Sequence, residues 1–134
     1  IEEMKHEFDP VIYPFRLWVI VGGTDKEISD SFLQYDGKEI ESLDKDMTKL
    51  EAFAMPVMSK ESNHYGVVVY FVNRRVMTCS VIAHESSHAA KFLFEHIGAD
   101  VKEHEPFEYA VGWIAGCCEK SKNQENRKRN KQHD

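Results

Sequence analysis

The sequence predicts an α+β fold in which a small mixed or antiparallel sheet packs on two helices that follow it in the chain. Three observations carry this prediction: a β-branched stretch near the amino end, two extended stretches in the middle, and two apolar helical patterns in the last half. The order strand, helix, strands and then two helices has no internal repeat and is typical of the α+β class. A chain of 134 residues has the size of one domain. We therefore predict a single domain over residues 1–121 and a polar, basic, frayed tail over residues 122–134.

The first predicted strand is the stretch FRLWVIVGG at residues 15–23, which is rich in β-branched and aromatic residues and ends at a glycine pair. Thr24 or Asp25 can cap a short helix after this strand. The apolar spacing predicts that this helix runs to Leu33 or Gln34.

A β-hairpin is predicted for the middle of the chain. The extended residues 50–58 and 65–73 are joined by the polar SKESNH, and Pro56 places the first of them near a sheet edge. The second stretch either offers an edge to an extended peptide or lies inside the sheet. The mostly charged residues 36–49 before the hairpin are expected to form a loop.

Two helices are predicted after the hairpin. Thr78 is the expected N-cap of the first, which ends at Gly98. The second should begin near Pro106, because proline is favoured at the first helical position, and continue to about Ser121. Four apolar side chains are expected to pack one helix against the other: Phe92, Phe94, Trp113 and Ile114.

Charge and cysteine content narrow the function classes. The net charge of -6 gives no case for a nucleic-acid groove, so we do not expect nucleic acid as a partner. The three cysteines lack metal-binding spacing and cannot all pair within one chain, which favours a reducing, cytoplasmic compartment. No stretch is long and apolar enough to cross a bilayer and no signal-peptide pattern opens the chain, so we expect no membrane partner.

The stretch HESSH at residues 84–88 carries the strongest chemical signal. In a helix, His84 and His88 lie one turn apart on one face, so their imidazoles can bind one ion. Glu85 beside them can take a proton from water on the ion without being a ligand. A core that buried these groups without a metal would have to satisfy their polar atoms in another way. The pattern therefore predicts Zn2+ as cofactor, His84 and His88 as its ligands, and Glu85 as the general base.

A catalytic zinc takes a third protein ligand and keeps an open position for water. Three candidates follow in the stretch KEHEPFEYAVGWIAG: Glu105 and Glu108, which are nearly one helical turn apart, and His104. The arrangement H-E-x-x-H-x-x-G-x-x-H is excluded, because Lys91 and Phe94 occupy the positions where it needs Gly and His. The spacing alone leaves the three candidates open.

The remaining polar aromatic residues carry weaker signals. Tyr109 is a candidate catalytic donor to the oxyanion, although a tyrosine on so apolar a helix is more often a core residue. The other histidines have no partner spacing and are expected on the surface: His6, His64, His96 and His133.

The blocks HESSHAAKFLFEHIG and EPFEYAVGWIAG resemble the small zincin-type metallopeptidases encoded by bacteriophages and prophages, whose pattern is HExxHA, a helix-ending glycine, and then E-A-x-A-Y-L-x-G-W-I. The blocks FDPVIYPFRLWV and YGVVVYFVNRRVMTCSVIAHE are also similar, so the resemblance covers most of residues 8–118. The resemblance implies a minimal zincin-like fold of the gluzincin type, with Glu105 as the metal carboxylate. Pro106 and Glu108 depart from the family pattern, which keeps Glu108 as a second candidate for that role. The implied activity is hydrolysis of a peptide or protein substrate by a metal-activated water, in the host cytoplasm.

Two other functions compete with this one. With His104 as the third ligand, the chain would resemble the SprT-type proteases that act on DNA-bound proteins. Alternatively, a zincin scaffold could bind and inhibit a host factor around a purely structural metal. Glu85 argues against that alternative, because a structural site has no use for a general base. The small size favours it, because little chain is left to build a deep cleft.

Overall fold

The computed structural model describes residues 4–40 and 51–133, which form one five-stranded sheet with three α-helices. The strands are β1 (Lys5–Phe8), β2 (Arg16–Val21), β3 (Phe32–Gln34), β4 (Ala52–Ser59) and β5 (Tyr65–Phe71). The helices are α1 (Asp25–Ser31), α2 (Cys79–Ile97) and α3 (His104–His133), and a 3-10 turn at Arg74–Val76 precedes α2. The predicted α+β class is confirmed.

The sheet is mixed and has the strand order β1-β2-β5-β4-β3. The central strands β2 and β5 are parallel, and the other neighbours are antiparallel. The predicted hairpin is confirmed, because β4 and β5 pair directly from Ala52 opposite Phe71 to Met58 opposite Tyr65. Since β5 lies between β2 and β4, it is an interior strand and offers no edge to a peptide.

Pro56 lies in the part of β4 that extends beyond its short neighbour β3. The β3 strand pairs only with Val57, Met58 and Ser59. Within the described residues, the outer side of Ala52–Pro56 has no strand partner. A proline has no N–H to donate, so it is tolerated at such an open edge. The edge prediction therefore holds for this half of β4.

Both faces of the central strands are covered. Successive strand residues point to opposite faces. One face packs against α2 and α3 through Leu17, Val19, Val21, Val67, Val69 and Phe71. The other packs around Ile28 of α1 and Phe32 through Trp18, Ile20, Val68 and Tyr70. Burial on both faces explains why these strands are continuous apolar runs instead of alternating ones.

The ends of α2 are as predicted. The Thr78 hydroxyl accepts a hydrogen bond from the Val81 N–H at 3.3 Å, which caps the start of the helix. Gly98 ends it in the left-handed conformation, with φ 72°. Phe94 of α2 and Ile114 of α3 are buried as predicted, while Phe92 and Trp113 are half-buried against the same core.

The prediction that the first helix runs to Leu33 or Gln34 is wrong. Helix α1 ends at Ser31, and Phe32–Gln34 form strand β3. The physical reason is tertiary: Phe32 pairs with Ser59 of β4, and its ring is fully buried against Trp18. That burial outweighs a helical spacing of only two turns. The predicted loop over residues 36–49 lies mostly outside the described residues.

The predicted end of the last helix near Ser121 is also wrong. Helix α3 begins at His104 and continues through the predicted tail to His133. Ser121 marks the end of burial instead, since no side chain described after it is buried. The extension is held by side-chain contacts of Glu125 with His6 at 2.9 Å and of Asn126 with Arg74 at 3.3 Å.

Among the helices of residues 4–40 and 51–133, none combines the length and the apolar composition that crossing a membrane requires.

Candidate metal centre

Helix α2 places two imidazoles side by side on its exposed face. The four-residue spacing puts His84 and His88 one turn apart, while the opposite face of α2 is buried against the sheet and α3. Their Nε2 atoms are 3.2 Å apart, and their ring centroids are 4.8 Å apart in an edge-to-face arrangement. The two side chains therefore converge on one point beside the helix.

This spacing fits a shared metal ion. In a tetrahedral zinc site with Zn–N distances of about 2.0–2.1 Å, two ligand nitrogens are about 3.3 Å apart. The distance between the Nε2 atoms of His84 and His88 is 3.2 Å. The donor set and its geometry therefore fit zinc for two of the ligands that a catalytic site needs.

Glu85 lies next to the histidine pair but points toward the interior. Its side chain is 8 % exposed, and its Oε1 atom is 3.9 Å from His84 Nε2. Its Oε2 atom is buried without a hydrogen-bond partner. Burial raises the pKa of Glu85, and the neighbouring imidazoles of His84 and His88 act in the opposite direction. A buried, incompletely bonded carboxylate is costly unless it serves a purpose, which marks Glu85 as a functional candidate.

A cavity of about 300 Å3 opens beside these groups, between the start of α2 and the start of β4. Its walls are formed by Glu51, Ala52, Ser80, Val81, His84 and Glu85. The outer side of Ala52–Pro56, which has no strand partner among residues 4–40 and 51–133, begins at this cavity, because Ala52 is the first residue of β4. The cavity thus adjoins both the histidine pair and a strand edge that can accept an extended chain.

Glu51 belongs to the lining of this cavity although no sequence pattern predicted it there. The residue stands directly before β4, where its carbonyl accepts a hydrogen bond from the Val72 N–H at 2.8 Å. Glu51 is exposed, and it lines the cavity that His84 and Glu85 also line. No local motif marks Glu51, since its approach to α2 depends on how the hairpin packs on that helix.

The three candidates for a third ligand lie at the start of α3. His104, Glu105 and Glu108 are all exposed there. Helix α3 packs on the buried side of α2, where Phe107 contacts Phe94 with ring centroids 5.5 Å apart. Within residues 4–40 and 51–133, no three His, Cys, Asp or Glu side chains form a group that could hold a metal ion. The structure thus brings together two predicted ligands, and the identity of the third stays a prediction.

Tyr109 is not the core residue that its sequence position favoured. Its side chain is 74 % exposed. It lines a separate apolar cavity with Pro10, Ile12, Leu93 and Trp113, and it does not line the cavity at His84 and Glu85. Its predicted role as an oxyanion donor stays a prediction.

Two of the histidines expected on the surface have partners instead. The side chain of His6 in β1 is only 8 % exposed, and its Nε2 atom is 2.9 Å from Oε1 of Glu125 in α3. His96 contacts Tyr35 through Nδ1 and the carbonyl of Pro14 through Nε2. Neither contact follows from spacing, since both join segments distant in sequence. His64 is exposed as predicted, and the side chain of His133 lies outside the described residues.

No family model matches the chain, and no curated protein or solved structure matches it either. The resemblance to the phage metallopeptidases therefore stays a prediction from the sequence blocks quoted above. Any function has to be argued from the side chains of the site.

Proposed function

We propose that this protein is a zinc-dependent peptidase of the gluzincin type, in which His84 and His88 bind the metal and Glu85 is the general base. The observation that carries the proposal is a pair of imidazole nitrogens 3.2 Å apart beside a buried carboxylate with an unbonded oxygen. The resemblance of the sequence blocks to phage-encoded metallopeptidases supports the same activity and a host-cytoplasmic setting.

The outer side of Ala52–Pro56 in β4, which pairs with no other described strand, supports a peptide substrate. An extended peptide can add to this edge as a further strand, with main-chain hydrogen bonds holding it in place. Ala52, at the start of the edge, lines the same cavity as His84. A peptide bound along Ala52–Pro56 would therefore extend toward the imidazole pair.

Glu85 has the properties of a base that moves a proton in this reaction. A zinc ion bound here would polarise the scissile carbonyl and lower the pKa of a coordinated water to about 7. Glu85 takes the proton of the attacking water and passes it to the leaving nitrogen. Its pKa is raised by burial, which is the direction that proton exchange near neutral pH requires.

The first test of the proposal is zinc binding. We expect about one zinc per chain in protein prepared without chelator, and we expect His88→Ala to lose it. His64→Ala is the matched control, because His64 is an exposed histidine away from the site. Elemental analysis of the three proteins measures the metal content. Full zinc retention in His88→Ala would remove the basis of the site.

The second test separates the metal from the chemistry. Glu85→Gln should keep zinc but reduce hydrolysis of a labelled, unfolded protein substrate at least about 100-fold, because an amide cannot accept the proton. Metal content and circular dichroism of this variant show whether the site and the fold are intact. A variant that binds zinc and keeps most of its peptidase activity would exclude Glu85 as the base.

The third test identifies the remaining ligand by competitive zinc titration. Losing a group that only orients a ligand typically weakens metal binding about 10- to 100-fold, and losing a true ligand costs more. We expect Glu105→Ala to weaken binding most, Glu108→Ala to act moderately and His104→Ala to do little. Glu51→Ala is compared with them because Glu51 lines the cavity.

Each other ranking in this titration has a distinct meaning. If His104→Ala is the most damaging change, the SprT-type alternative replaces the gluzincin one. If Glu108→Ala is the most damaging change, the proposed zinc-dependent hydrolysis is unaffected. The family pattern has then been aligned wrongly at Pro106 to Glu108. If Glu51→Ala is the most damaging change, the third ligand comes from the residue directly before β4 and not from α3.

A further inference from the structure

A second cleft, of about 530 Å3, lies at the carboxyl ends of the parallel strands β2 and β5. Its walls come from those strand ends, the turn after β5 and the last third of α3, and include Gly22, Asn73, Arg74, Glu125, Lys128 and Arg129. It shares no lining residue with the cavity at His84. The carboxyl ends of parallel strands are where open sheets commonly bind ligands.

The described charged side chains of this cleft are mostly basic, although the protein as a whole is acidic. Residues 1–118 contain 11 basic and 20 acidic side chains, whereas residues 119–134 contain six basic and three acidic ones. Among the described residues, Arg74, Lys128 and Arg129 line the cleft together with one acidic side chain, Glu125. The Oε1 atom of Glu125 already contacts His6 at 2.9 Å and Lys128 at 3.2 Å. Within the part of the chain that the structure describes, the charged side chains that line the cleft therefore sum to a positive charge.

The helix dipole explains only part of this arrangement. Basic residues near the C-terminus of α3 are stabilised by its negative end on any face of the helix. Arg74 does not belong to α3, however; it follows β5 and reaches the helix at Asn126 with a 3.3 Å hydrogen bond. Two arginines from different elements, Arg74 and Arg129, thus line one cleft. The dipole does not require this convergence.

We propose that this cleft binds a small phosphate-bearing ligand through Arg74 and Arg129. Guanidinium groups present N–H donors in a planar fork that matches phosphate oxygens. The cleft has a volume of about 530 Å3, which falls in the range typical of small-molecule sites. A small ligand fits such a recess better than a nucleic-acid duplex, which needs a long open groove. This site is independent of the histidine pair and does not rest on the proposed peptidase activity.

The test is calorimetric titration of the full chain with inorganic pyrophosphate at low ionic strength. We expect Arg129→Gln and Arg74→Gln each to weaken binding about tenfold or more, as for the loss of a charge-assisted hydrogen bond. The chain offers matched controls of equal charge. Arg127→Gln changes a residue of the same helix, and Arg75→Gln changes the neighbour of Arg74; both control side chains are exposed, and neither lines the cleft. These two should stay within about twofold of the unmodified protein.

Three outcomes would overturn the proposal. The first is that pyrophosphate fails to bind the unmodified chain. All four variants could weaken binding alike, which would show diffuse attraction to the basic helix. A single-stranded thymidine oligonucleotide could bind instead and lose affinity equally in Arg127→Gln, which would indicate a nucleic-acid surface along α3. Arg74 also donates a hydrogen bond to Asn126, so Arg74→Gln can disturb the fold. In that case the pyrophosphate affinity of Arg129→Gln alone tests the proposal.

Discussion

The central strands β2 and β5 and the last third of α3 are the two extremes of packing in this molecule. Leu17–Val21 of β2 and Gly66–Phe71 of β5 are buried throughout, with both faces of the sheet covered. No described side chain of α3 beyond Ser121 is buried. In the strands, the space around a side chain decides which substitutions the fold tolerates. In the loosely packed helix extension, backbone conformation and charge decide which substitutions are tolerated.

Gly66→Ala should produce the largest loss of stability, because Gly66 lies in the tightest part of the central pair. A Cβ atom there would be 2.0 Å from the Arg16 carbonyl oxygen and 2.7 Å from the Trp18 ring. The first of these is backbone and cannot rotate away. We expect the free energy of unfolding to fall by about 3 kcal/mol or more, measured by urea denaturation of the metal-free protein. A loss below about 1 kcal/mol would show that β2 and β5 are less closely packed than described.

Local signals in the sequence were sufficient for some elements and not for others. The limits of α2 were predictable because Thr78 and Gly98 act on the helix directly beside them. Strand β3 was not, because Phe32 becomes extended only by pairing with Ser59, a residue far along the chain. The end of α3 was predicted too early, because a pattern of apolar residues indicates only where a helix is buried. Among the described side chains, burial ends at Ser121, whereas the helix continues to His133.

The residues of the candidate site also fall into those that local spacing predicts and those that depend on contacts between distant segments. The approach of His84 to His88 follows from helical geometry within one turn, so spacing alone predicted it. The position of Glu51 on the same cavity depends on how β4 packs against α2, and no spacing rule covers such a contact. The choice of third ligand likewise depends on the placement of α3 relative to α2.

Gly112→Ala should have a smaller effect than Gly66→Ala and the opposite sign. Gly112 is an exposed glycine inside α3, and a Cβ atom built there meets nothing within 4 Å. In a helix interior, alanine is more stable than glycine by about 1 kcal/mol, partly because alanine lowers the conformational entropy of the unfolded chain. We therefore expect unfolding to cost about 0.5–1 kcal/mol more in the same urea assay.

Gly37→Ala is the control that separates space from backbone conformation. A Cβ atom at Gly37 also meets nothing within 4 Å, but the residue has φ +87°, a region that L-amino acids with a side chain rarely adopt. This variant should lose about 1 kcal/mol although nothing crowds it. If Gly112→Ala and Gly37→Ala changed stability in the same direction, open space alone would decide the outcome. Opposite signs would show that, wherever packing is loose, the backbone conformation sets which residue is tolerated.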